Sequence, residues 1–174
     1  MTKNRKIIIC LILVLGLISI PVGRGIYHFQ KGCKVLANTF HGEAVIEFER
    51  AIKANPYFLK PYLYLAVAYA EWGSASLHYK EYDEEGFAKL KNETRGKAEE
   101  ILKTALKRFP YHPYRDDIQY LLGQIYDKDS MNGGYVWDRK KAIEGYKELI
   151  KKYPKSKYVK EAEERINALA MGVK

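Results

Sequence analysis

The sequence has few cysteines and none of the short motifs that mark common catalytic or metal sites. Cys10 and Cys33 are the only cysteines among 174 residues, so no framework of disulfides is expected to hold the fold. None of the four histidines has another three or four positions away, and neither Cys-x-x-Cys nor His-Glu-x-x-His occurs, which argues against a zinc site. A nucleophile elbow, a phosphate loop and a dinucleotide fingerprint are also missing. These absences predict a protein that is not an enzyme and holds no metal and no cofactor.

Acidic residues are absent from the first 34 positions, although these positions hold six basic residues: Lys3, Arg5, Lys6, Arg24, Lys31 and Lys34. The remaining positions carry 24 basic and 21 acidic residues, so the formal charge of +9 is concentrated at the N-terminal end. Binding to nucleic acid needs a basic face with interleaved aromatic residues. No such face stands out in the remainder of the chain, and we expect no nucleic-acid partner.

One long uncharged run, Ile7 to Val22, follows the basic flank at residues 1–6. As a helix it would cover about 24 Å at 1.5 Å per residue, the short end of what crosses the hydrocarbon core of a bilayer. The same layout is typical of a secretory signal peptide. We therefore predict that residues 7–23 are a transmembrane anchor or a cleaved signal peptide. Residues 1–6 then stay in the cytoplasm, and the rest is periplasmic or on the cell surface, or is secreted after cleavage.

A repeated pattern occupies the rest of the chain. Ala44, Phe48, Ala51 and Pro56 stand at offsets 0, 4, 7 and 12. The same offsets recur at Ala98, Leu102, Ala105 and Pro110, and at Ala142, Tyr146, Leu149 and Pro154. Offsets 0, 4 and 7 lie on one stripe of an α-helix, and the proline ends each helix at the same point. The pattern predicts an array of helical repeats, an architecture that binds partners through extended surfaces.

These patterns resemble the tetratricopeptide repeat family. Its motif alternates helix A, with a Leu-Gly/Ala-x2-Tyr core, and helix B, with Ala-x3-Phe/Tyr-x2-Ala, and closes on proline. The helix A pattern is carried here by Leu65, Ala66 and Tyr69, and again by Leu122, Gly123 and Tyr126, while the three frames above match helix B. Over residues 35–170 the resemblance implies an all-α, TPR-like helical solenoid of about two and a half repeats and a C-terminal closing helix. It would follow an N-terminal apolar helix, and the first helix A is expected to be degenerate or fused to that helix.

Two insertions lengthen the repeat, because the closing prolines are 54 and 44 residues apart where the family has about 34. The first insertion, between Trp72 and Gly96, is charged and compatible with helix, which predicts lengthened helices that meet near residues 92–96. The second, between Asp127 and Asp138, contains two adjacent glycines and predicts a loop. Insertions of this kind lie at one edge of a solenoid, where partners often bind.

In this family the helix A residues line a concave groove. Aligned on that pattern, the groove candidates are Lys60, Leu63, Tyr64, Val67, Asp117, Tyr120, Gln124 and Asp127. Tyrosines suit such a role because they are large, rather rigid and tipped with a hydroxyl. Packing between repeats and exposure to solvent explain the same residues equally well.

The stretch from Tyr153 to Ala162 is similar to repeats in bacterial envelope assembly proteins, among them an outer-membrane β-barrel assembly lipoprotein and cell-division coordinators. A lipoprotein signal is not expected, because Cys10 lies inside the apolar run and Cys33 follows a lysine and a glycine. We predict a membrane-anchored, non-catalytic adaptor of the cell envelope that binds a peptide or protein partner on the helix A face. The alternative is a structural scaffold that self-associates at the membrane as a homo-oligomer.

Overall fold

The computed structural model describes residues 3–75, 84–127 and 138–171, and the regular structure within these ranges is entirely α-helical. Seven helices lie in them: α1 (Lys3–Ala37), α2 (His41–Ala54), α3 (Leu59–Ala75), α4 (Glu84–Arg108), α5 (Arg115–Asp127), α6 (Arg139–Lys152) and α7 (Val159–Ala170). The chain forms two compact units, residues 1–64 and 65–174. In the first, α1 packs on α2, and in the second each helix from α4 to α7 packs on the next. The predicted all-α fold of successively packed helices is confirmed.

In the first unit, two glycines bring α1 close to α2. A Cβ atom added at Gly25 would lie 2.9 Å from the Cβ atom of Asn55, and one added at Gly32 would lie 2.6 Å from the Phe48 ring. No larger side chain fits at either contact unless a neighbour moves. Phe48 is fully buried, as are Ala44 and Ala51 on the same stripe of α2.

A buried carboxylate also joins α1 to α2. Glu47 is 4% exposed, and its oxygens lie 2.7 Å from His28 Nδ1, 3.0 Å from Lys31 Nζ and 2.8 Å from Arg50 Nη1. Burial alone would raise the pKa of Glu47, but the hydrogen bonds with His28 and Lys31 and the positive charge of Arg50 outweigh it, so the pKa lies below its ordinary value. The ionised carboxylate therefore stabilises the α1–α2 pair.

The turn between α1 and α2 places Thr39 in the left-handed region, with a φ of 63°. Thr39 N donates to Leu36 O at 2.9 Å and Phe40 N donates to Val35 O at 3.3 Å, the pattern of a Schellman motif that normally carries glycine at this position. Gly42 lies in the first turn of α2, because the reversal is made by these backbone hydrogen bonds.

The backbone of α1 continues unbroken through the predicted anchor, with Pro21 inside the helix. Its side chains are described from Ser19 onward. Within the part of the chain that is described, no helix combines the length and the apolar character needed to cross a bilayer. The anchor or signal at residues 7–23 falls mostly on side chains outside that part and stays a prediction.

In the second unit, α4 is one helix of 25 residues. The expectation that two helices meet near residues 92–96 was therefore wrong. Thr94 is buried and packs so tightly on α3 that a Cβ atom added at Gly73 would collide with it. Gly96 lies inside the same helix and faces open space. The loop predicted between Asp127 and Asp138 lies at residues 128–137, outside the described ranges.

Gly123 and Gly145 bring α5 and α6 together in the same way. A Cβ atom added at Gly123 would lie 2.6 Å from the ring of Tyr146, and one added at Gly145 would lie 2.8 Å from the Cα atom of Gly123. Tyr146 stands at the same repeat offset as Phe48, which meets Gly32 at the same distance. The C-terminal half of α1 is therefore the first helix A, fused to the N-terminal segment.

Within the described ranges the helices form three A–B pairs, α1/α2, α3/α4 and α5/α6, and α7 takes the place of the next helix A. In the second unit, the helix residues that carry the helix A and helix B patterns are all buried: Leu65, Ala66, Tyr69, Ala98, Leu102, Ala105, Leu122, Gly123, Tyr126, Ala142, Tyr146 and Leu149. The closing prolines differ, since Pro56 is half-buried whereas Pro110 and Pro154 are exposed. Their role is to end helix B, which does not require burial.

Candidate functional site

A cavity of about 330 Å³ opens in the second unit between the C-terminal half of α3, α5, α6 and α7. Its apolar walls come from four side chains: Val67, Ala70, Leu121 and Ile125. Its polar groups come from Tyr120, Gln124, Asp127, Tyr146, Glu161 and Arg165. Because α3, α5 and α7 are successive A helices, the cavity lies on the helix A face of this unit.

Asp127 forms the floor of the cavity and joins three helices. It is 4% exposed, and its carboxylate accepts a hydrogen bond of 2.7 Å from the hydroxyl of Tyr146 on α6. Arg165 on α7 donates to it with two nitrogens, Nη2 at 2.6 Å and Nε at 2.7 Å. The bonds to Asp127 raise the pKa of Arg165, and burial together with the bond to Asp127 raises the pKa of Tyr146. The planar pair is bidentate, the strongest geometry for arginine and carboxylate.

Tyr120 lines the cavity and packs on two other tyrosines. Its ring stacks on that of Tyr158 with centroids 4.2 Å apart and planes within 3°, and it meets Tyr146 at 5.8 Å. Burial, followed by a hydrogen bond to Glu161, raises the pKa of Tyr120. The hydroxyl therefore stays protonated at neutral pH, close to Glu161 and Gln124. Aromatic pairs of this kind fix ring orientation as well as burying area.

The N-terminal end of α5 is tied to the turn before α7. Asp117 accepts from the Tyr158 hydroxyl at 2.6 Å, and its carboxylate lies 3.3 Å from Lys157 Nζ. Asp116 accepts from Ser156 Oγ at 2.7 Å. The bonds to Tyr158 and Asp117 raise the pKa of Lys157. These contacts hold α7 against α5, the two helices that supply most of the polar lining of the cavity.

Four of the eight predicted groove residues line this cavity: Val67, Tyr120, Gln124 and Asp127. Asp117 is not one of its lining residues and lies at the start of α5. The other three belong to the first unit, where Lys60 is exposed and Leu63 is half-buried. There Tyr64 is 42% exposed, and its ring packs on Phe29 and Phe48 at 5.2 and 5.8 Å.

Sequence reasoning missed the contribution of α7. Glu161 stands seven residues after Pro154, as Asp117 stands seven residues after Pro110, so extending the alignment by one repeat would have found it. Arg165 occupies the place of Leu121 in the same alignment. Its pairing with Asp127 depends on how α7 packs and carries no signal in the spacing. Among the described residues, no three histidine, cysteine or acidic side chains converge as a metal site would require.

Residues 87–172 match the model of a protein family described as YfiO, outer membrane lipoprotein. The match includes α5, α6 and α7 and all the cavity residues except Val67 and Ala70. Comparisons of the chain with curated proteins and with solved structures gave no match. The predicted similarity to envelope repeat proteins is thus confirmed for the C-terminal half of the chain.

Proposed function

We propose that this chain is a non-catalytic adaptor of the cell envelope that holds a segment of a partner protein on its helix A face. The observation that carries the proposal is the cavity between α3, α5 and α7, which combines apolar walls with a few convergent polar groups. Sites that take small ligands and side chains have this composition. Among the described residues, no serine, cysteine, histidine or lysine lines it. Its buried carboxylate, Asp127, is held by Tyr146 and Arg165, which supports binding without catalysis.

The similarity of residues 87–172 to outer membrane lipoproteins supports a place outside the cytoplasm and a partner in an envelope complex. We propose attachment through the apolar residues 7–23 and not through a lipid, because neither Cys10 nor Cys33 has the surroundings of a lipidated cysteine. The continuous helix α1 would then connect the membrane segment directly to the first repeat.

Site-specific photo-crosslinking in the native cell tests the proposed face. A benzophenone amino acid replaces Gln124, which lines the cavity, and in a control strain it replaces Glu163, an exposed residue of α7. We expect the Gln124 position to form an adduct with a partner protein, which mass spectrometry identifies, and the Glu163 position to lack that adduct. Identical adducts at both positions would contradict the assignment of the cavity.

A second candidate is a scaffold that self-associates. It is favoured by apolar side chains that α1 leaves exposed, namely Ile20 at 62%, Ile26 at 42% and Tyr27 at 61%. Sedimentation of the purified chain over a range of concentrations separates the two candidates. A stable oligomer that Ile26→Ser and Tyr27→Ser together dissociate supports the scaffold, whereas a monomer at every concentration excludes it.

A further inference from the structure

We infer, on the basis of the proposed function, that the cavity selects a partner segment in which a lysine or arginine lies next to a large apolar side chain. The apolar side chain enters between Val67, Leu121 and Ile125, and the cation pairs with the carboxylate of Glu161.

Two of the three charged side chains in the cavity neutralise each other. Asp127 and Arg165 form a bidentate pair with distances of 2.6 and 2.7 Å, and the carboxylate side of the pair is buried. Breaking such a pair to bind a ligand would leave the buried carboxylate without a counter-charge, which is strongly unfavourable. Arg165 is therefore not available to bind an acidic ligand.

Glu161 is the third charged side chain, and it carries a formal negative charge that no described cation neutralises. The described side chain to which it is coupled, Tyr120, keeps its proton and is neutral, so the charge of Glu161 stays in place. The two nearest lysines in the sequence have other partners, since Lys157 pairs with Asp117 at 3.3 Å and Lys160 approaches Glu164 at 3.9 Å. The described lining, with one negative charge each on Asp127 and Glu161 and one positive charge on Arg165, thus has a formal net charge of −1, and the excess lies on α7.

The remaining lining is neutral and limits what else can enter. Val67, Ala70, Leu121 and Ile125 offer apolar contact, and Gln124 offers a neutral hydrogen-bonding group next to Tyr120. The volume of about 330 Å³ is at the lower end of the range of ligand pockets, which suits one or two side chains of an extended peptide. An acidic side chain in the same place would face Glu161, and this repulsion discriminates against it.

Selection from a library of random displayed peptides tests the inference with the purified full chain as bait. We expect the wild-type chain to enrich peptides with lysine or arginine beside leucine, phenylalanine or tryptophan. Glu161→Lys reverses the charge of the cavity wall and should enrich aspartate or glutamate beside the same apolar residues. Glu163→Lys is the matched control, since residue 163 is exposed and two positions further along α7, on its opposite side. It should keep the wild-type preference.

The affinity of one enriched peptide is then measured by fluorescence anisotropy against the wild type and Glu161→Gln. We expect the variant to bind about fivefold more weakly, the effect of losing one partly exposed ion pair, and we expect added salt to weaken wild-type binding more than variant binding. Circular dichroism verifies that the variants fold. If Glu161→Lys does not fold, Glu161→Gln tests the same charge with a side chain of the same size.

The outcomes separate the two levels of the argument. If apolar peptides are enriched with no charge preference, or with acidic residues, the inference on Glu161 fails while the proposed groove stands. If no peptide motif is enriched by any of the chains, both the inference and the proposed function of the cavity fail. If the preference reverses in Glu161→Lys but not in Glu163→Lys, the result supports both the inference and the proposed function.

Discussion

Two glycine-to-alanine substitutions should have opposite effects on the free energy of unfolding. Gly145 lies where α5 and α6 approach closely, whereas Gly96 in α4 faces open space. In Gly145→Ala the new Cβ atom would lie 2.8 Å from the Cα atom and 2.9 Å from the N atom of Gly123, and 3.3 Å from the carbonyl carbon of Leu122. All three atoms belong to the backbone, so no side chain can rotate away. The helices must move apart to restore a contact of at least 3.4 Å, a separation of about 0.6 Å. A gap of that size forfeits about a quarter to a half of the dispersion energy of each contact across it.

Overpacking of this kind costs about 1–3 kcal/mol, and the helical preference of alanine returns about 0.5–1 kcal/mol. We therefore expect Gly145→Ala to lower the free energy of unfolding by about 1–2 kcal/mol. Gly96→Ala is the matched control, because Gly96 lies inside α4 and its added Cβ atom would meet nothing within 4 Å. That variant should be more stable than the wild type by about 0.5–1 kcal/mol.

Urea unfolding followed by far-ultraviolet circular dichroism measures both effects, and Tm should shift by about 2–4 °C per kcal/mol in a chain of this size. The reasoning is refuted if Gly145→Ala unfolds at the same urea concentration as Gly96→Ala or at a higher one. Equal destabilisation by both substitutions would also contradict it, since Gly96 has no neighbour to displace.

Three further predictions concern buried charge and backbone strain. Asp127→Asn should lower the free energy of unfolding by about 2–3 kcal/mol in urea titrations, because it removes the charge that pairs with Arg165 and weakens two charge-assisted hydrogen bonds. A loss of less than about 0.5 kcal/mol, as for a surface substitution, would show that the pair contributes nothing. Thr39→Gly should raise Tm, because glycine adopts the left-handed conformation without the strain of about 1–2 kcal/mol that threonine has there. Part of this gain is lost to the larger entropy of glycine in the unfolded chain. An unchanged or lower Tm would show that Thr39 is not strained. Folding lowers the pKa of Glu47, so its contribution is present above the ordinary pKa of about 4.3 and is lost as the pH falls through the folded value. Urea unfolding at a series of pH values should therefore show that the deficit of Glu47→Gln shrinks between about pH 5 and pH 3, and a deficit that is constant over this range would refute the role of the ionised carboxylate.

The helix B half of each repeat was readable in the sequence because periodicity and proline act locally. A residue such as Ala98 or Leu102 is placed on the inner stripe by helical geometry alone, and Pro110 ends the helix by steric and hydrogen-bonding rules. The first helix A was not readable, since Gly32 is followed by Val35 where the pattern requires tyrosine. Its assignment comes from the contact of Gly32 with Phe48, which only packing reveals.

The candidate site was also predictable from the sequence only in part. Val67, Tyr120, Gln124 and Asp127 were found by alignment with the helix A pattern of the family that the chain resembles, and helical phase places them on one face. The ion pair between Asp127 and Arg165 was not predicted, because Arg165 is 38 residues away in the sequence and reaches Asp127 only through the packing of α7. Phase therefore indicates which residues share a surface, while tertiary contacts decide which of their charges remain available to a partner.

The fusion of the first helix A with the N-terminal segment in α1 has a consequence for how the chain tolerates insertions. Both parts share one helical axis, so the angle between them is determined by the number of residues that separate them. One residue inserted near Pro21 would rotate the two parts by about 100° relative to each other, whereas seven would restore the angle to within about 20°. If the N-terminal segment is fixed in a bilayer, the direction in which the first repeat faces is determined by residue count, and insertions of one or two residues should impair function without changing stability.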